Sequence, residues 1–262
     1  MRMRASLRER RRQVIYVVPN LFTTGNLFCG LYAIIAVFGA NYVKAALAIL
    51  VALIFDMLDG SSARWTKTTS QFGIEYDSLA DLVSFGVAPG VLIYSWALSG
   101  YGVLGLAVVF AFVGCGALRL ARYNVMTGMA DNRYFTGLPI PAAAAVLASL
   151  MLLDHHILRL GREVMPVVIL IVTFVLAFLM VSTIKYTKFK GVKLLTGEGF
   201  TYLVWGVLVI MLIAAAPQIA LFVLFAGYAL SGMLMMLVGL ARRAARKGAP
   251  AERVSGEVKE SE

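Results

Sequence analysis

Apolar runs of about 16–22 residues succeed one another from residue 21 to residue 240, parted by short polar or glycine- and proline-bearing segments. Runs of that length let an α-helix cross a hydrocarbon core of roughly 30 Å. The pattern predicts spans near 21–39, 43–59, 78–97, 102–124, 138–153, 164–184, 200–216 and 219–240, eight in all. Only Pro217 and Gln218 part the last two, which predicts a tight hairpin. The fifth opens on Pro139 and Pro141, which a first helical turn tolerates. The expected fold is therefore an all-α integral membrane protein with one transmembrane domain over 21–240. A basic juxtamembrane segment (1–20) precedes it, and a tail (241–262), basic and then disordered, follows.

Charge tests this topology. With eight spans, 21 of the 24 Lys and Arg residues fall on one side of the membrane, and only Lys44, Arg159 and Arg162 on the other. The positive-inside rule then puts both termini, and the loop after the second span, in the cytoplasm of a cell-membrane protein. Of 262 residues, 60% are hydrophobic and 15% charged, which excludes a soluble domain of this length. The net charge of +10 reads as the orientation signal, with added attraction to anionic membrane lipids. Without an aromatic-interleaved basic domain it does not point to nucleic acid. Residues 1–16 read either as an amphipathic helix on the inner surface or as a disordered orientation tag. They do not read as a signal peptide, because the apolar stretch after them is of spanning length. Cys29 and Cys115 fall inside spans and read as small buried residues.

Four aspartates break the apolar pattern: Asp56, Asp59, Asp77 and Asp81. An ionised carboxylate at membrane depth costs at least roughly 2.5–3.5 kcal/mol, so such residues mark function by default. Spacings of three and four place each pair on one helix face. The first pair ends span two and the second opens span three, so a short joining loop lets all four converge at the inner surface. Together they repel one another, and a pair of divalent cations resolves the conflict. The donors are oxygen only, which suits Mg²⁺, Mn²⁺ or Ca²⁺ and disfavours zinc. Gly60 and Gly73, each one turn from an aspartate, remove side chains where a bulky ligand would approach. Arg64 continues the Asp56–Gly60 face and offers a planar fork suited to phosphate. Metal, arginine and two glycines predict phosphoryl-type transfer. A cation transporter on the same aspartates leaves Arg64 and the glycines unexplained. A membrane prenyltransferase would need a second aspartate motif, and none follows Asp81.

The ungapped pattern Asp-x2-Asp-Gly-x2-Ala-Arg-x8-Gly-x3-Asp-x3-Asp, from Asp56 to Asp81, resembles the signature of the CDP-alcohol phosphotransferases. The resemblance implies a helical membrane transferase, commonly a homodimer, that moves a phosphatidyl or similar group from a CDP-linked lipid to an alcohol and releases CMP. It implies two divalent metals, Mg²⁺ or Mn²⁺, held by Asp56, Asp59, Asp77 and Asp81, with Asp81 also the base for the acceptor hydroxyl. Gly60, Ala63 and Gly73 would pack against the CDP moiety, Arg64 would bind its diphosphate, and Ser70 would add a phosphate contact. The surroundings 72–89, the run Arg119-Leu120-Ala121-Arg122-Tyr123-Asn124, and the segments 136–141 and 19–30 are similar to the membrane-integral phosphatidylserine synthases of that family. The implied substrates are CDP-diacylglycerol and L-serine; glycerol phosphate or inositol phosphate are the other acceptors within the family. A free amino acid presents a carboxylate that wants an arginine, and Arg119, Arg122 and Asn124 lie at the inner end of span four. The same arginines read alternatively as snorkelling orientation signals.

Three further features read as ordinary. Asp154-His155-His156 falls on the outer side as an interfacial polar turn. The lysine-rich loop 185–193 orients the chain and offers attraction for an anionic lipid. Gly86 and Gly90, with Pro89 beside them, suit close helix packing or a dimer face.

Overall fold

The structure, a computed structural model, describes residues 2–66, 70–126, 134–159, 161–187, 204, 206–207, 211 and 216–247. Helix α1 (Arg2–Phe38) runs unbroken through residue 20, so the basic segment and the first span form one helix. Ala40, at φ 52°, turns the chain, and the amide of Asn41 donates to the carbonyl of Ala36 at 2.9 Å. Helix α2 (Tyr42–Thr66) returns along α1. Buried Ala33, Ala36, Ala45, Ala46 and Ala52 lie on the two helices, and small residues of this kind let helix backbones approach closely.

Helix α3 (Gln71–Asp81) begins at Ser70, whose hydroxyl accepts from the amide of Gly73 at 3.0 Å, an N-cap. The helical path continues through a wide π-helical turn (Leu82–Val87), then α4 (Ala88–Ile93) and a second wide turn (Tyr94–Leu98). Pro89 gives the cause. Lacking an N–H, it breaks the ordinary ladder, and the amide of Ala88 reaches back to the carbonyl of Val83. Gly86 and Gly90 are packed within the chain: a Cβ would meet Ile140 at 3.6 Å in the first case and Val109 at 3.1 Å in the second. After a reversal at 99–102, α5 (Gly102–Met126) recrosses.

Helix α6 (Ile140–Leu153) is buried along its whole length apart from Pro141. A helix apolar all round belongs inside a bundle, and α2, α7 (Gly161–Val181) and α8 (Pro217–Lys247) pack around it. Two short strands, β1 (Tyr134–Thr136) and β2 (Lys185–Thr187), pair antiparallel with Phe135 opposite Tyr186. The sequence predicted helices alone; this ribbon ties the segment before α6 to the one after α7.

Beside the ribbon, Gly137 adopts φ +81° and donates to the carbonyl of Ile184 at 2.8 Å. A Cβ there would stand 2.2 Å from the carbonyl oxygen of Met180. Gly137→Ala is expected to cost at least about 2 kcal/mol, from the left-handed backbone and the clash together. Thermal unfolding in detergent checks this; an unchanged melting temperature would contradict it.

Among the described residues, five helical stretches are long and apolar enough to cross a membrane: Asn20–Phe38, Gln71–Met126, Ile140–Leu158, Val164–Val181 and Pro217–Leu234. Gln71–Met126 holds two of the expected spans. Helix α2 covers a third expected span but is not among the five. The expected span 200–216 lies almost wholly outside the described residues, as do the loop 188–193 and the tail 248–262, so a total of eight exceeds what the described residues establish. The last turns of α2, α5 and α7 and the starts of α3 and α6 gather at one end of the bundle. The turns at 39–41, 99–102 and 154–159 lie at the other. There His156 Nδ1 bonds the carbonyl of Leu152 at 2.9 Å and the His155 and His156 rings meet edge-on.

Candidate metal and catalytic site

The carboxylates of Asp56, Asp77 and Asp81 converge, each offering an oxygen within 4.8 Å of the others. Helix α2 supplies the first; α3 supplies the other two, one turn apart on one face. Asp81 is buried, and Asp56 and Asp77 are half-buried. Among the described residues, Asp77 Oδ1 is buried without a hydrogen-bond partner. A buried carboxylate oxygen left unpaired is costly, and three such groups in contact are costlier still. A divalent cation removes both penalties, and an all-oxygen donor set fits Mg²⁺ or Mn²⁺. The residues present therefore fit a hard metal ion. Asp59 is not in that 4.8 Å set, though it lies near enough to Asp56 and Asp77 for its charge to reach them: it is buried, and its carboxylate accepts from the hydroxyl of Thr23 on α1.

Other expected site residues take varied places. Gly60 faces open space, since a Cβ there would meet nothing within 4 Å. At Gly73 a Cβ would lie 3.2 Å from Ser70 Oγ and 3.7 Å from Asn20 Oδ1, so this glycine also accommodates the cap of α3. Ser70, expected as a phosphate contact, uses its hydroxyl as an acceptor in that cap, which does not consume the O–H donor. Ala63 and Arg64 lie on the last turns of α2, with side chains outside the described set.

Helix α5 separates its two arginines. Arg119 is only 9% exposed, close enough to Asp81 and Asp56 to feel their charge, and its Nε has no hydrogen-bond partner among the described residues. Tyr123, and Tyr228 from α8, share its surroundings. Arg122 is exposed, and its Nη1 donates to the carbonyl of Val181 at the end of α7 at 3.0 Å. It serves a helix terminus here, not the carboxylate cluster. Asn124 Nδ2 donates to Ser78 Oγ at 3.0 Å and to Glu75 Oε2 at 3.2 Å, tying α5 to α3 beside Asp77.

Two residues of α1 that the aspartate motif did not point to touch the site. Asn26, fully buried, donates from Nδ2 to Asp81 Oδ1 at 3.0 Å. Thr23, also buried, holds Asp59. The signal was available: polar residues inside an otherwise apolar span ask for a partner.

The sequence model of the CDP-alcohol phosphatidyltransferases matches residues 16–181. The chain is 43% identical over 181 residues to the CDP-diacylglycerol–serine O-phosphatidyltransferase of Helicobacter pylori, covering 68% of this chain and 75% of that one. To the Methanocaldococcus jannaschii protein of the same name it is 34% identical over 226 residues, 86% of this chain and 96% of that one. To the archaetidylserine synthase of Methanothermobacter thermautotrophicus it is 38% identical over 176 residues, 66% and 71% of the two chains. The matched segment contains α2, α3 and the clustered carboxylates, and on that footing the chain belongs to the CDP-alcohol phosphatidyltransferase family.

Proposed function

We propose that the chain transfers the phosphatidyl group of CDP-diacylglycerol to the hydroxyl of L-serine, giving phosphatidylserine and CMP, at the cytoplasmic face of the cell membrane. The convergence of Asp56, Asp77 and Asp81 within 4.8 Å, in a chain with relatives named for this reaction, carries the reading. Asp56, Asp59, Asp77 and Asp81 would hold two Mg²⁺ or Mn²⁺ ions, with Asp59 turning one oxygen from Thr23. Bound there, such ions would supply positive charge for the pyrophosphate and for the departing oxygen.

The chain's own residues do the rest. Asp81 takes the proton of the serine hydroxyl, whose oxygen then forms a bond to the lipid-side phosphorus. The phosphorus–oxygen bond to CMP breaks, and its electron pair leaves with CMP. Arg64 binds the diphosphate. The open face at Gly60, together with Ala63 and Gly73, admits the nucleotide, and Ser70 completes the phosphate surroundings from the cap of α3. Arg119 receives the serine carboxylate, while Asn124, and Arg122 at the α7 terminus, fix the wall around it. The bundle works as a homodimer with both termini in the cytoplasm, and its apolar outer surface holds the lipid chains.

Purified protein supplied with Mn²⁺ or Mg²⁺ is expected to release CMP from CDP-diacylglycerol when serine is added and not in its absence. A CMP-release assay across serine, glycerol 3-phosphate and inositol 1-phosphate tests this. Release with a phosphorylated acceptor, and none with serine, would reassign the substrate while leaving the reaction class intact.

A further inference from the structure

Asn26 invests a fully buried amide in a single contact, and that contact is with the residue assigned as the base. Its Nδ2 donates to Asp81 Oδ1 at 3.0 Å, while its own Oδ1 is buried without a partner among the described residues. A side chain present for packing would not keep a buried oxygen unsatisfied, because an apolar residue of similar shape would fill the space without that penalty. The rest of the neighbourhood fixes Asn26 in turn. Ser84, fully buried in the wide turn after Asp81, donates its hydroxyl to the backbone carbonyl of Asn26 at 2.9 Å. One helical turn further along α1, Gly30 lies so close that a Cβ would stand 2.3 Å from Ser84 Oγ and 2.7 Å from Ser84 Cα. Helix α1 and the turn that follows Asp81 are thus clamped together. Thr23, three residues before Asn26 on the same face, holds Asp59.

We infer that Asn26 is a positioning residue that fixes the Asp81 carboxylate for metal binding and proton transfer. The inference rests on the role given to Asp81 above. A neutral amide suits that role, because it can only donate to a carboxylate through its nitrogen and adds no positive charge to compete with a cation. One oxygen of Asp81 is committed to Asn26, which limits rotation of the carboxylate. Partners of this kind around metal ligands are commonly worth 10–100-fold in affinity or activity.

The test uses the full chain in detergent–lipid micelles. Asn26→Leu is expected to lower kcat about 10–100-fold, and to weaken Mn²⁺ binding, read by electron paramagnetic resonance without substrate, about tenfold. The KM for CDP-diacylglycerol is expected to stay within about threefold, since the lipid and nucleotide contacts lie elsewhere. Asn26→His, which carries a ring N–H the same number of bonds from Cα, is expected to regain part of both. If Asn26→Leu does not fold, Ser84→Ala takes its place, with an expected kcat loss of about threefold to tenfold at unchanged KM. Wild-type kcat and Mn²⁺ affinity in Asn26→Leu, or in Ser84→Ala where it stands in, beside an inactive Asp81→Asn would overturn the inference alone. An active Asp81→Asn would overturn the assigned base and the inference with it.

Discussion

Asp81→Asn is expected to lower kcat by at least about 10³-fold while CDP binding stays within about threefold. A positioned general base contributes roughly 10²–10⁴-fold by itself, and this change also removes an oxygen from the three-carboxylate cluster. A 10³-fold loss corresponds to about 4 kcal/mol of transition-state stabilisation. The substitution is nearly isosteric, and an amide oxygen can still accept from Asn26 Nδ2, so the contact between α1 and α3 survives. Asp56 and Asp77 remain to engage the nucleotide. The measurement is CMP release at saturating serine, set beside equilibrium CDP binding on the same preparation. Turnover within tenfold of wild type would remove Asp81 from proton transfer and leave the proposed mechanism without a base.

The sequence revealed most where a residue broke the rule of its surroundings. Carboxylates in an apolar run are so unfavourable that Asp56, Asp59, Asp77 and Asp81 stood out at once, and the structure brings Asp56, Asp77 and Asp81 together. Run lengths likewise located most of the helices, because the hydrocarbon thickness fixes them. Asn26 and Thr23 were harder to read. A neutral polar side chain in a span is tolerated at modest cost, so its presence does not say which partner it serves, and the partners here lie 55 and 36 residues away. Ser70 carried a local signal that pointed two ways, since a serine before a helix can cap it or bind an anion; here its hydroxyl caps α3. The β1–β2 ribbon escaped because strands of three residues have too little period to detect, and their pairing spans the whole α6–α7 hairpin.

Arg119 and Arg122 show the limit most clearly. Both are basic, both lie near the end of α5, and a spacing of three leaves them only about 60° apart around the helix. Chemistry alone could not divide them. The structure buries Arg119 beside the aspartates and turns Arg122 to the carbonyl of Val181. Tyr228 of α8 joins the surroundings of Arg119. That helix (Pro217–Lys247) lies beyond the segment matched by the family (16–181), so the family motif could not point to it.

Arg119→Lys is accordingly expected to raise the KM for serine about 100-fold and to leave that for CDP-diacylglycerol within about threefold. Losing a desolvated, hydrogen-bonded charge partner costs about 2–5 kcal/mol, and 100-fold corresponds to about 2.7 kcal/mol. Two roles compete for this side chain. As a fixed counter-charge to Asp81 and Asp56 it would need only its positive charge, and lysine would supply that. As the receptor of a carboxylate it needs the planar fork, which lysine lacks. The unpartnered Nε favours the second role, because a guanidinium serving only the fold would have spent its donors there. Serinol, which has the amine and hydroxyl of serine but no carboxylate, separates the two by a second route. Wild type is expected to prefer serine over serinol strongly in kcat/KM, and Arg119→Met to lose nearly all of that preference. If Arg119→Lys keeps the serine KM of wild type, or if Arg119→Met lowers turnover of both acceptors equally, the arginine is a counter-charge and the serine carboxylate is bound elsewhere.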